Sequence, residues 1–144
     1  MKSLMWFRND LRMDDNPALR EACKSSDEVH AIYIYSQNQN KKHNEANCKT
    51  EFFIENLKVL ESKLSNINIP LNIINSDGFK DNSEIISNYV KNHSLNKVFW
   101  NKQFGIDESE RDLFVQNCLK GNKIEFENFD EQVVFAPGSI LTGE

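Results

Sequence analysis

An α/β fold is predicted for this chain: a five-stranded parallel sheet with helices on both faces. Three observations carry that prediction. Short apolar runs alternate with helix-like stretches in the order β-α-β-α-β-α-β-α-β. The runs are nearly uninterrupted, which fits strands buried on both faces of a parallel sheet. The stretches between them open on recognisable helix starts, and parallel strands joined in this way require right-handed crossovers.

Leu4–Phe7 is the first run. Asn16-Pro17 follows, a capping residue before a proline suited to the first helical position, and that helix extends to about Lys24. Val29–Tyr35 (VHAIYIY) is longer, β-branched and aromatic. Phe52, Phe53, Leu57, Leu60 and Leu64 then recur at helical spacing and mark an amphipathic helix over residues 48–65. Leu71–Ile74 is the third strand. Residues 83–92 form the next helix, with Ile85, Ile86, Tyr89 and Val90 on one stripe. After the fourth strand, Lys97–Trp100, the spacing Asp107-x-x-Glu110 resembles a capping box. Leu113, Phe114 and Leu119 give that helix its buried side, and Gly121 suits the position just past its end. Lys123–Phe129 is the fifth strand. Beyond it the pattern dissolves through Ala136-Pro137-Gly138-Ser139. Residues 1–130 therefore read as one domain and 131–144 as the start of a linker, with more protein expected to follow.

Length and composition agree. The chain has 144 residues and 16.8 kDa, 39% hydrophobic and 27% charged, enough for one ordinary core. No apolar run approaches the roughly 18–20 residues that span a bilayer, and residues 1–7 are too short for a secretory leader. Seventeen Lys+Arg against 22 Asp+Glu gives −5, which excludes a basic nucleic-acid-binding domain. Cys23, Cys48 and Cys118 are odd in number and far apart, so neither a disulfide framework nor a CxxC site is present, and a cytoplasmic setting is expected. His30, His43 and His93 also stand apart, without metal-ligand spacing.

Ligands of open parallel sheets sit beyond the carboxyl ends of the strands. The loops to inspect are thus 8–16, 36–49, 75–82 and 101–107. The five glycines never approach GxGxxG or GxxxxGK[ST] spacing, so no standard dinucleotide or P-loop site is expected. No Ser/His/Asp or Cys/His set emerges. Only the first loop is dense in charge: Arg8-Asn9-Asp10-Leu11-Arg12-Met13-Asp14-Asp15-Asn16 can be rigidified by Arg–Asp pairs or can be a solvated turn.

That loop also carries a resemblance. Leu4-Met5-Trp6-Phe7-Arg8-Asn9-Asp10-Leu11-Arg12, continued by Asp15-Asn16-Pro17-Ala18-Leu19, closely resembles the opening of the DNA photolyase/cryptochrome family. Phe99-Trp100-Asn101, followed by Glu108-x-x-Arg111-Asp112, is a second match. Pro137-Gly138-Ser139-Ile140-Leu141-Thr142-Gly143 is a third, and the three fall in order along the whole chain. The resemblance implies a Rossmann-like N-terminal domain that holds or borders an antenna chromophore, a reduced folate such as 5,10-methenyltetrahydrofolate or a deazaflavin. It further implies that FAD lies in a separate helical domain outside this segment, and that reduced flavin donates an electron to a pyrimidine dimer flipped out of UV-damaged DNA. The partners so implied are that helical domain and, through it, DNA; neither a membrane nor a metal is implied.

In folate-type members the corresponding helix begins Asn-Glu, and both residues contact the pterin. Asp107-Glu108 stand there in this sequence. A carboxylate at Glu108 can accept the adjacent N–H donors of a pterin, or simply complement the helix dipole. Asp107 departs from the pattern, because an ionised Asp cannot donate. Asn101, on the preceding loop, can also face the site. The resemblance gives Arg8, Asp10 and Arg12 a structural part in an ion-paired loop, with Asp14 and Asn16 closing the turn, while Trp6 and Trp100 read as core. It also implies an apolar patch at the carboxyl ends of the strands, where the helical domain belongs. No residue here is expected to be catalytic. A cryptochrome-type photoreceptor shares this domain, and a stand-alone nucleotide- or partner-binding module is the reading from another class.

Overall fold

The structure, a computed structural model, describes residues 1–36, 38 and 47–131. Five strands, β1 (Lys2–Phe7), β2 (Glu28–Ser36), β3 (Leu71–Ser76), β4 (Lys97–Asn101) and β5 (Glu125–Phe129), form one sheet in the order β3-β2-β1-β4-β5. Every pairing is parallel. Among the described residues four helices of more than one residue connect them: α1 (Pro17–Ser25), α2 (Asn47–Ser65), α3 (Asn82–Asn92) and α4 (Ile106–Gly121), with a 3₁₀ turn at Phe79–Asp81 before α3.

The sheet separates two cores because successive side chains of a strand point to opposite faces. On β1, Leu4 and Trp6 join Val98, Trp100, Ile86, Val90, Val115 and Leu119 beneath α3 and α4. Met5 and Phe7 join Phe99, Ala18, Leu19, Ala22, Leu60 and Leu64 beneath α1 and α2. Burial on both faces therefore describes β1 and β4. It fails at the edges: β3 and β5 are only half covered, and Ile73 is 51% exposed.

The helices begin for local reasons. Asn16 caps α1 by accepting the Leu19 N–H at 3.1 Å, with Pro17 in the first turn. The anticipated capping box at Asp107 does not form. Helix α4 starts at Ile106, two residues earlier than that box implies, with Gly105 in the N-cap position and no side chain to cap it. Its far end also differs, since Gly121 is the last helical residue and Asn122 closes the helix by donating its backbone N–H to the Cys118 carbonyl at 3.1 Å. Lys123 then adopts φ +56°, a left-handed turn that cannot continue as a strand, so β5 begins at Glu125 rather than Lys123.

Two predicted helix faces are corrected. Phe52 on α2 is 66% exposed, whereas Leu57, Leu60 and Leu64 are buried. On α4, Leu113 and Phe114 are exposed, and the buried face is Arg111, Asp112, Val115 and Leu119. The expected linker falls almost wholly on residues 132–144, outside the described residues.

Candidate functional site: the carboxyl rim of the sheet

Strand order reverses between β1 and β4, so the point where a ligand crevice ordinarily opens is the gap between Phe7 and Asn101. Here that gap is filled. Asp10 turns back beneath the loop: its carboxylate accepts the Arg8 backbone N–H at 2.8 Å and the Asn101 side-chain amide at 2.6 Å. The same amide donates to Asn16 Oδ1 at 2.8 Å, and Asn101 Oδ1 accepts the Ala18 N–H at 3.2 Å. Asp10, Asn16 and Asn101 are all buried, and together they tie the end of β4 to the first loop and the start of α1.

A second layer of this plug is ionic. Asp112 Oδ1 accepts from Arg8 Nη1 at 2.6 Å, from Arg111 Nε at 3.1 Å and from Arg111 Nη2 at 3.0 Å. Arg8 also donates to the Asn101 carbonyl, and Arg111 Nη2 reaches Gln103 Oε1 at 2.7 Å. Both guanidinium groups lie over the Trp6 ring, at 4.5 and 5.0 Å, and Arg111 lies 4.6 Å from the Phe79 ring as well. Two buried cations thus share one carboxylate. Burial, followed by the nearby Arg8 charge, pushes the Arg111 guanidinium down to about 10, while Asp112 and Glu108 pull it back up. It remains a cation at neutral pH.

Beside the plug the rim is open. A groove of about 410 Å³ separates the 77–81 loop from the first two turns of α4, with Phe79, Asp107, Glu110, Arg111 and Phe114 among its walls. Asp107 faces this groove. Glu108, also half-buried, folds back toward Gly105, where a Cβ would collide with its carboxylate.

Residues 3–144 match the family model described as DNA photolyase. The chain belongs to the DNA photolyase family. It is 36% identical over 141 residues to the deoxyribodipyrimidine photo-lyase of Escherichia coli and 35% identical to that of Salmonella typhimurium; each match covers 97% of this chain and 29% of the relative. The chain therefore spans less than a third of the length of these photo-lyases. Cryptochrome-1 of Arabidopsis thaliana is 22% identical, over 96% of this chain and 20% of its own. Among solved structures, a photolyase from Sulfolobus tokodaii with two FAD molecules superposes with a TM-score of 0.84 at 22% identity, covering 99% of this chain and 32% of that one. A Synechocystis cryptochrome gives 0.81 at 21% identity, over 90% and 27%. Both of these establish the fold.

Within this photolyase-family domain the three anticipated site residues separate. Asp107 and Glu108 stand together on the first turn of α4, and their negative charge complements the helix N-terminus. Asn101 is the last residue of β4 rather than a loop residue, and its side-chain amide is fully engaged inside the plug. The first loop is ion-paired, but across the fold: Arg8 pairs with Asp112, and Arg12 with Glu131. The Phe79–Phe114 groove had no sequence signal. Arg111 and Asp112 were marked only by the Glu108-x-x-Arg111-Asp112 match, which did not tell that they are buried. Among the described residues no cluster of three metal-ligating side chains occurs, and no helix is long and apolar enough to cross a membrane.

Proposed function

We propose that this chain is the light-harvesting, antenna-holding domain of a deoxyribodipyrimidine photo-lyase. The whole protein repairs UV-induced pyrimidine dimers in DNA, and FAD held by a helical domain outside residues 1–144 supplies the electron. The observation carrying this reading is the end-to-end match to photo-lyases at 35–36% identity, against 22% for the plant cryptochrome. A net charge of −5 agrees with DNA being gripped elsewhere. The free thiols of Cys23, Cys48 and Cys118 suit the cytoplasm.

The α4 first turn fits a reduced folate of the 5,10-methenyltetrahydrofolate type by its chemistry. Glu108 offers a half-buried carboxylate that can take two adjacent pterin N–H donors in parallel, and Asp107 adds a second acceptor at the mouth. Asn101 acts from beneath, holding β4 and the first loop in place instead of touching the chromophore.

Protein expressed from the full gene provides the test. It should carry FAD and split thymine dimers under near-ultraviolet or blue light, and Glu108→Gln should lower bound folate about tenfold, read by absorption, with FAD content unchanged. Equal folate occupancy in the variant rejects the role of Glu108. Flavin photoreduction without dimer repair favours the cryptochrome-type reading.

A further inference from the structure

The two edges of the sheet are built differently. On one side β5 carries Glu125 and Glu127, and Lys97 pairs with Glu127 at 2.7 Å. Charges on an edge strand keep further strands from adding to it. On the other side β3 reads Leu-Asn-Ile-Ile-Asn-Ser, with neither a charge nor a proline. The Ala31 N–H donates to the Pro70 carbonyl at 2.8 Å while Leu71 stands opposite Ala31. Backbone groups alternate along a strand, so those of Pro70, Asn72 and Ile74 serve the ladder to β2. Those of Leu71, Ile73 and Asn75 point to the free edge, and among the described residues none of them has a partner. The Ile73 side chain is itself 51% exposed.

We propose that β3 is a self-association edge, where two copies of this chain pair antiparallel about a two-fold axis at Ile73. Antiparallel strands related by such an axis must place one residue opposite its own copy. Ile73 is the middle one of the three outward residues. Centring there sets Ile73 against Ile73 of the second copy, and Leu71 against Asn75 in both directions. Each is a hydrogen-bonded pair that exchanges two bonds, so every outward group from Leu71 to Asn75 is used. Centring on Ile74 instead would set Leu71 against Asp77, which lies past the strand. The two exposed Ile73 side chains then meet on one face of a continuous sheet. The contact also closes on itself, because the outer edges of the pair are both β5, guarded by its glutamates. Glu61 shares a hollow with Leu71, and Asp77 follows the strand, so carboxylates of the two copies repel at the ends of the contact. The inference rests on the sheet edge and is independent of the antenna reading.

Sedimentation of the chain tests the proposal. A contact this short predicts a weak dimer, passing from monomer to dimer between about 5 and 300 µM, and tighter in added salt. Ile73→Pro removes only an outward N–H and spares the ladder to β2, so it should fold by circular dichroism and dimerise at least about tenfold more weakly. Ile73→Lys, a charge on the edge, should do the same. In a background without Cys23, Cys48 and Cys118, Ile73→Cys should link to its own copy on mild oxidation, because facing Cα atoms of a hydrogen-bonded pair lie about 5.5 Å apart. Asn75→Cys, placed opposite Leu71, should not link. A chain that stays monomeric throughout overturns the proposal, and amides at Ile73 and Asn75 protected from exchange in that monomer would show another part of the same chain on the edge. A dimer that survives both Ile73 variants overturns it too, as does linkage at Asn75→Cys but not at Ile73→Cys.

Discussion

Two neighbouring places on the carboxyl rim have opposite fates. At the β1–β4 switch point, Arg8, Asp10, Asn16 and Asn101 are each 5% exposed or less; a few residues along, Ile106 is 88% exposed. Topology puts a crevice at the first place in most open α/β sheets, and dinucleotides use it. Here the crevice is packed with hydrogen-bonded polar groups, and open space lies to its side, as between the 77–81 loop and α4. Strand order therefore decides where a crevice can form, while the side chains at its lip decide whether it stays open. With no glycine-rich turn to admit a pyrophosphate, the plugged switch point becomes an anchor for α4 through the Arg8–Asp112 pair.

The contrast can be broken most sharply at Asp112. Replacing it by Asn leaves two buried guanidinium groups without their shared counter-charge, and should cost about 3–5 kcal/mol in urea unfolding followed by circular dichroism. A loss below about 1 kcal/mol would mean that the plug does not hold the fold. Asn101→Ala removes the amide between Asp10 and Asn16 and leaves buried acceptors short of a donor, for an expected loss of about 2–3 kcal/mol by the same measurement. On the open side, Ile106→Ser should change stability by no more than about 0.5 kcal/mol and should raise solubility; a large loss would show that Ile106 packs within the domain.

The smallest effect belongs to the amino end of the sheet. Hydrogen bonds from Lys2 and His30 hold the Glu28 carboxyl below its ordinary 4.5. A carboxylate depressed in the folded state stabilises above its unfolded pKa, and that contribution is lost as pH falls through the folded value. The stability gap between the native chain and Glu28→Gln should thus be constant near neutrality and close as pH drops below 4.5. A gap that widens toward acid would refute this pairing.

Strands and helix positions were legible because their signals are local. A β-branched, aromatic run such as VHAIYIY has few alternatives, and Asn16-Pro17 states where a helix begins. The rim was legible only as far as its residue types. Reading α4 by hydropathy buries Leu113 and Phe114 and exposes Arg111 and Asp112, the reverse of what is found. The reversal has a long-range cause: Arg8, 104 residues away in sequence, supplies the partner that makes Asp112 buriable, and the rings of Trp6 and Phe79 flank Arg111. Periodicity cannot report such a partner. The depth of Asn101 was hidden for the same reason, since the strand extends one residue past its apolar run to reach Asp10 and Asn16.

Both tryptophans of the chain lie on the same side of the sheet, with Trp6 and Trp100 ring centres 5.8 Å apart beneath α3 and α4. Their ultraviolet emission therefore monitors that half of the molecule and is blind to the layer built from α1 and α2. If the two layers come apart in sequence as denaturant rises, the optical signal from indole and the helical signal will part company, and the interval between the two curves will measure how independently each half melts.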